Sequence, residues 1–176
     1  MTSIGSQLTF CSPQRILRRT VVVRNEQNVV KQFFSLDDNL VESAQTLFFD
    51  GILSSEIVSL KQHVSSDEIS ELTREYEYID LSDEFPNLKI SKNQKNLLLD
   101  FGTNTTAEIN SKLAKLAQQN SGLSIFDVIA SCVYYPALLI GANAELTVDR
   151  SHNLLLWENV DLVNKGFTVN TKIREI

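Results

Sequence analysis

Nucleophilic catalysis needs an oxygen or sulfur atom held beside a base. This chain of 176 residues has two cysteines, Cys11 and Cys132, and two histidines, His63 and His152. No two of the four are close in sequence, so any Cys–His or Ser–His pair would have to be made by the fold. Cys11 lies in a polar stretch. Cys132 lies in an apolar run, which suits a small core hydrophobe. Thiols this far apart make no disulfide framework, and neither they nor the histidines show the close pairing of a zinc site. They read as reduced thiols in a reducing compartment. The sequence therefore assigns no catalytic residue, no metal ligand and no cofactor.

Charge is the stronger signal. Asp67, Glu68, Glu71 and Glu75 fall on one side of a helix at i, i+4 spacing, where like charges cost a few tenths of a kcal/mol each. Such a face is either solvated or a docking surface for a basic partner. Arg15, Arg18, Arg19 and Arg24 form an opposing basic strip without the interleaved aromatics of a nucleic-acid module. Seven residues are thus the candidate interaction contacts: Arg15, Arg18, Arg19, Arg24, Glu68, Glu71 and Glu75.

The run Leu97-Leu98-Leu99-Asp100-Phe101-Gly102-Thr103-Asn104-Thr105 is similar to the first phosphate loop of the actin, Hsp70 and sugar-kinase superfamily. There the carboxylate would orient magnesium-bound water, and the Gly and Thr groups would approach phosphates. That loop opens a large two-lobed ATPase. Only 71 residues follow Thr105 here, too few for the remaining nucleotide motifs. Strand, glycine turn and helix cap account for the same letters.

These residues need elements to hold them. Residues 1–15 are polar and aperiodic and read as an N-terminal arm, with residues 16–176 as a single domain. The β-branched runs 16–24 and 29–34 flank Asn25–Asn28 and predict a β-hairpin. Asp37 or Asp38 would cap a helix bearing Leu40, Val41, Ala44, Leu47 and Phe48, ended by Gly51. Ser54 or Ser55 would start a second helix through Val64. Ser65 and Glu68 form a capping box for a third, with Ile69, Leu72, Tyr76 and Ile79 on one face. Pro86 makes the acidic stretch 80–86 a loop. Residues 97–101 read as a buried strand. Thr105 and Glu108 make another capping box, for a helix closed by Gly122. Ser124 then caps an apolar helix that Pro136 must kink or end. Strand candidates at 145–149, 153–158 and 167–174 finish the chain, the first two forming a hairpin around 150–153. Strands at both ends with helices between argue α+β: an N-terminal hairpin, central helices and C-terminal antiparallel strands packed on one sheet.

Residues 125–142 are almost wholly apolar over 18 positions, near the length of a membrane span. Asp127, Ser131, Pro136 and Gly141 interrupt them, so they read as buried core. The first ten residues lack the basic and apolar regions of a secretory signal. The expected location is cytoplasmic, or within an intracellularly assembled particle. Hydrophobic and charged contents of 43% and 22% are those of a globular domain. Charge runs from +4 over residues 1–35 to −10 over residues 36–90, then balances. The acidic middle disfavours nucleic acid as a partner of the whole body. With no catalytic set and opposed charge blocks, the chain reads as a non-catalytic interaction or assembly subunit. Its partners would be other protein subunits or a second copy of itself. The alternatives are a small enzyme using Asp100, Cys132, His63 or His152, and weak nucleic-acid contact through the N-terminal arginines.

Overall fold

Two β-branched runs joined by a polar turn do form a hairpin. In the computed structural model, which describes residues 1–37, 46–90 and 96–176, β2 (Arg15–Arg24) pairs antiparallel with β3 (Val30–Ser35). Asn25 Oδ1 accepts from the Gln27 and Val29 amides at 3.0 and 2.9 Å, and Asn28 takes a left-handed φ of 58°.

The polar segment before the hairpin is not an arm. Thr2–Ser12 is β1, an interior strand with β2 antiparallel on one side and β4 (Thr46–Ser55) parallel on the other. It shows no alternation because much of it is buried on both faces. Its buried hydroxyls bond inward: Ser6 Oγ donates to the Leu8 carbonyl at 2.8 Å and accepts from Thr9 Oγ1 at 2.9 Å. A buried strand with satisfied hydroxyls looks, as sequence, like coil.

The helix expected over Leu47 and Phe48 is strand β4; its remaining positions from Asp38 to Ala44 lie outside the described residues. Gly51 is not a helix stop. At φ 154° it lets β7 (Leu154–Glu158) come close, and a Cβ there would lie 2.3 Å from the Trp157 carbonyl oxygen. The helix expected from Ser54 or Ser55 is also absent. β4 runs on to Ser55, and only a single 3-10 turn, Leu60–Gln62, follows. β7 pairs antiparallel with β4 and with β8 (Lys172–Glu175), giving a six-stranded sheet of order β3-β2-β1-β4-β7-β8.

The capping box of Ser65 and Glu68 starts α1 (Ser66–Leu72), as expected. The helix is shorter than its apolar spacing suggested. Ile79 belongs instead to β5 (Glu77–Asp80), parallel to β6 (Leu97–Asp100) in a second, small sheet. α2 (Thr106–Gln119) starts on the Thr105–Glu108 capping box and ends at Asn120, ahead of Gly122 at φ 96°. Ser124 caps α3 (Ile125–Ile129), which continues through a π-helical turn, Ala130–Tyr134, into α4 (Tyr135–Leu139). Pro136 explains this break. It has no N–H for the Cys132 carbonyl, which accepts instead from the Val58 amide at 2.9 Å. No strand forms at 145–149; Leu146 and Asp149 donate singly to the carbonyls of Cys11 and Val30. Of the 167–174 candidate, only the end becomes strand β8.

The fold is α+β with strands dominating, and its C-terminal strands are antiparallel in the main sheet. The larger core joins Phe10, Ile52 and Trp157 of the sheet to Leu99, Leu113, Val128 and Ile129. A smaller core with Ile4, Val22, Leu53 and Leu154 lies on the other side. Neighbours Ile52 and Leu53 enter different cores, as a strand buried on both faces requires. Among the described residues, no helix is long and apolar enough to cross a membrane.

Candidate functional site

The four groups that an enzyme reading would use are not brought together. Asp100, at the end of β6, is 2% exposed and saturated. Its Oδ1 accepts from Ser59 Oγ at 2.5 Å and the Gly102 amide at 2.9 Å; its Oδ2 accepts from the Lys61 amide at 3.1 Å and the Tyr78 hydroxyl at 3.0 Å. It fastens the 3-10 turn to the small sheet. Burial and the Asp100 charge push the Tyr78 phenol well above its ordinary range. Cys132 lies in the π-helical turn with its Sγ 3.1 Å from the Val128 carbonyl, and complete burial raises its thiol strongly. Cys11 is also buried, and desolvation raises it to about 11 against the pull of Arg15. Both thiols are therefore protonated, and poor nucleophiles, at neutral pH. His63 is exposed after the 3-10 turn. Among the described residues, no three of His, Cys, Asp and Glu are grouped as metal ligands.

His152 does meet a serine that sequence could not have paired with it. Ser55 Oγ, at the end of β4, lies 3.3 Å from Nδ1 across 97 residues of chain. The Asn143 side-chain amide lies 3.2 Å from Nε2, and the Thr147 backbone N–H points at the same nitrogen from 3.5 Å. The backbone donor makes Nε2 the acceptor, so the proton sits on Nδ1 and is donated to Ser55. In that tautomer His152 is no base for Ser55. Burial lowers the His152 pKa, Glu56 opposes that shift and Arg150 adds to it. The imidazole links the end of β4 to the 143–147 segment.

The arginine strip is divided. Arg24 is buried and donates to the Ile176 carbonyl at 2.6 Å. Arg15 pairs with Glu145 at 3.4 Å and lies 5.7 Å from the centroid of the Phe33 ring. Arg19 pairs with Asp37 at 2.6 Å. None pairs with α1. Nor do the acids make one face. Glu68 is turned back on the Ser65 amide and hydroxyl, both at 2.8 Å, and Glu75 lies beyond the end of α1, leaving Asp67 and Glu71 exposed on the helix. The acidic loop after β5 is closed by lysines. Lys61 Nζ meets Asp80 at 2.8 Å, Lys115 meets Glu84 at 3.4 Å, and Lys112 donates to the carbonyls of Leu81, Ser82 and Asp83.

Arg18 and Arg19 come together with residues that sequence reasoning missed. A cleft of about 510 Å³ is lined by Gln7, Leu8, Ile16, Arg18, Arg19, Asp37, Phe126, Leu162 and Lys165. Leu8 and Arg18 are cross-strand partners in the β1–β2 ladder. Phe126 stacks on Phe10, with ring centroids 6.4 Å apart and planes at 16°. Leu162 and Lys165 sit on a turn closed by reciprocal backbone bonds between Asp161 and Gly166, at 3.3 and 2.9 Å. The Lys165 carbonyl accepts from the Ile125 amide at 3.0 Å, which ties this turn to the start of α3. The only sequence signals were the Arg18–Arg19 pair and the turn composition of residues 161–166.

No family model and no curated protein matches the chain. Among solved structures it is similar to N-acetyl-D-glucosamine-6-phosphate deacetylase from Mycobacterium smegmatis, with 8% identity and a TM-score of 0.26 over 68% of this chain and 32% of that one. It is likewise similar to a protein assigned as a prolidase from Bifidobacterium longum, with 12% identity and a TM-score of 0.27 over 80% of this chain and 47% of that one. The chain spans about a third to a half of the length of these proteins. Likeness at these scores carries no argument about fold or function.

Proposed function

We propose that the chain is a non-catalytic interaction subunit that joins a partner protein, or a second copy of itself, by strand addition at β3. The observation that carries this reading is the state of the two edges of the main sheet. The β8 edge is engaged by α2 at Ile173: the Asn110 side chain donates to the Ile173 carbonyl at 3.1 Å and accepts from its amide at 2.7 Å. At β3 only Val30 is bonded on its outer side, to Asp149 and Arg150. Lys31–Ser35 have no outer backbone partner among the described residues. Unpaired edge groups are a template for another strand. The separation of Asp100, Cys132, His63 and His152 supports the same reading.

Light scattering coupled to size exclusion tests it, with affinity capture from the native host using the full chain. A defined oligomer or a stoichiometric partner is expected. Gln32→Lys, an exposed change that adds a charge to the open edge, should weaken the association. A protein that is monomeric at high concentration and captures nothing refutes the reading.

The 3.3 Å Ser55–His152 contact carries a second reading, a small serine hydrolase, which needs the opposite tautomer, with an unprotonated Nδ1 facing Ser55 Oγ. A fluorophosphonate probe that labels the native protein and not Ser55→Ala would establish it. No labelling would remove it.

A further inference from the structure

Five non-glycine residues among those described have a positive φ: Arg19, Asn28, Asp149, Asn159 and Lys165. Three are Asn or Asp, whose short polar side chains tolerate that backbone. The two exceptions are cations, Arg19 at φ 41° and Lys165 at φ 56°, and both line the same cleft. Long side chains held in a disfavoured backbone are associated with sites where strain serves a purpose. They stand on separate elements, β2 and the 161–166 turn, and both bring positive charge to one opening.

The electrostatics of the cleft are unbalanced. Among the described residues, three cations, Arg18, Arg19 and Lys165, share it with one carboxylate, Asp37, and that carboxylate is committed to Arg19. The side chains of Arg18 and Lys165 have no hydrogen-bond or ion-pair partner among the described residues. Between the cations the lining is apolar. Leu8, Ile16, Phe126 and Leu162 are only partly buried, and all pack against the larger core. That floor is fixed by the Phe10 stack and the closed 161–166 turn, so it is largely preformed. A volume of about 510 Å³ is within the usual small-molecule range of about 300–1,000 Å³.

We propose that this cleft binds a small amphipathic anion: a carboxylate or phosphate monoester on a medium-length alkyl or aryl body. Arg18 and Lys165 take the anionic head, and Leu8, Ile16, Phe126 and Leu162 take the apolar body. The strip of arginines is then divided by task. Arg15 and Arg24 hold the sheet together, Arg19 anchors Asp37, and Arg18 serves the ligand. This site is separate from the β3 edge and stands whether or not strand addition occurs.

Isothermal titration of the full chain with octanoate and octyl phosphate tests the proposal, with acetate, inorganic phosphate and octanol as partial ligands. Saturable one-to-one binding of the two amphipathic anions is expected, each at least about tenfold tighter than its truncated counterparts. Arg18→Ala and Lys165→Ala, both at exposed positions, should each weaken binding by about tenfold, as loss of a charge-assisted contact does. Arg15→Ala, which lies outside the cleft, should leave it unchanged. Any one of three results overturns the proposal: no saturable binding by either anion, octanol binding as well as octanoate, or full affinity in the Arg18→Ala, Lys165→Ala double variant. Co-sedimentation with phosphatidylglycerol vesicles by a protein that ignores the free anions would also overturn it, in favour of a lipid surface.

Discussion

Replacing Asp100 by Asn separates a structural carboxylate from a chemical one. The change is isosteric, yet no orientation of the amide satisfies the donors around it. If the nitrogen takes the Oδ2 position, it faces the Lys61 backbone N–H, at 3.1 Å from the native oxygen; the Tyr78 hydroxyl can rotate to accept, but the backbone amide cannot. If the nitrogen takes the Oδ1 position, the Ser59 hydroxyl can adapt and the Gly102 amide, at 2.9 Å, cannot. Either way one backbone donor loses a bond to a charged acceptor and faces another donor. A hydrogen bond to a charged group contributes about 1.5–3 kcal/mol, so Asp100→Asn should cost about 2–3 kcal/mol. Asp100→Ala, which abandons all four donors, should cost about 3–5 kcal/mol. Urea denaturation followed by far-UV circular dichroism reads this directly. With a slope of about 2 kcal/mol per molar, the Asn variant should unfold about 1 M earlier at unchanged slope. A loss under about 0.5 kcal/mol would refute the reasoning. A gain would go further, and would mark Asp100 as a group kept for function at the expense of the fold.

Three further outcomes follow from the same contacts. Burial holds the His152 pKa below its ordinary 6.5, so the unfolded chain binds the extra proton first; stability should be flat above about pH 6.5 and fall as the pH drops below it. His152→Asn should flatten that slope in urea titrations at pH 5 and pH 7.5, and an unchanged slope would place its source elsewhere. Gly51→Ala puts a Cβ 2.3 Å from the Trp157 carbonyl oxygen, so it should cost more than the about 1–3 kcal/mol of a disfavoured φ alone, measured by thermal unfolding. Thr105→Ala removes the N-cap of α2 and should cost about 1 kcal/mol; a neutral result would mean that packing alone defines the start of that helix.

What could be read from sequence was local. Ser65 with Glu68 and Thr105 with Glu108 satisfy their own helix ends within four residues, and both boxes form as expected. The Asn25–Asn28 turn likewise contains its own hydrogen bonds. Errors arose where partners are distant. Leu47, Phe48 and Gly51 have a spacing that fits a helix, but β1 pairs with Leu47 and Phe48, and β7 joins the other side of β4 from Ile52 onward. Thr2–Ser12 looked like an arm because its hydroxyls hid a strand buried on both faces. Tyr76 and Ile79 kept helical spacing past the end of α1, where β6 captures the chain as a parallel strand. Parallel pairing leaves no turn signature, so nothing nearby announced it.

The same limit applied to the sites, and it has a physical cause. Charged and polar residues are conspicuous in a sequence, yet the fold uses most of them internally. Asp100 binds four donors, Arg24 a carbonyl, Lys112 three carbonyls and Glu68 a helix end. Residues so engaged are poor candidates for function, because recruiting them would leave buried groups unpaired. The informative residues are those the fold leaves over. By that criterion Arg18 and Lys165 stand out from the arginine strip, and the outer edge of β3 stands out from the sheet. Sequence marked Arg18 only as one member of the strip, and it marked neither Lys165 nor the edge that stays open. Both appear only when each polar group has been matched to its partner and the unmatched ones are found side by side.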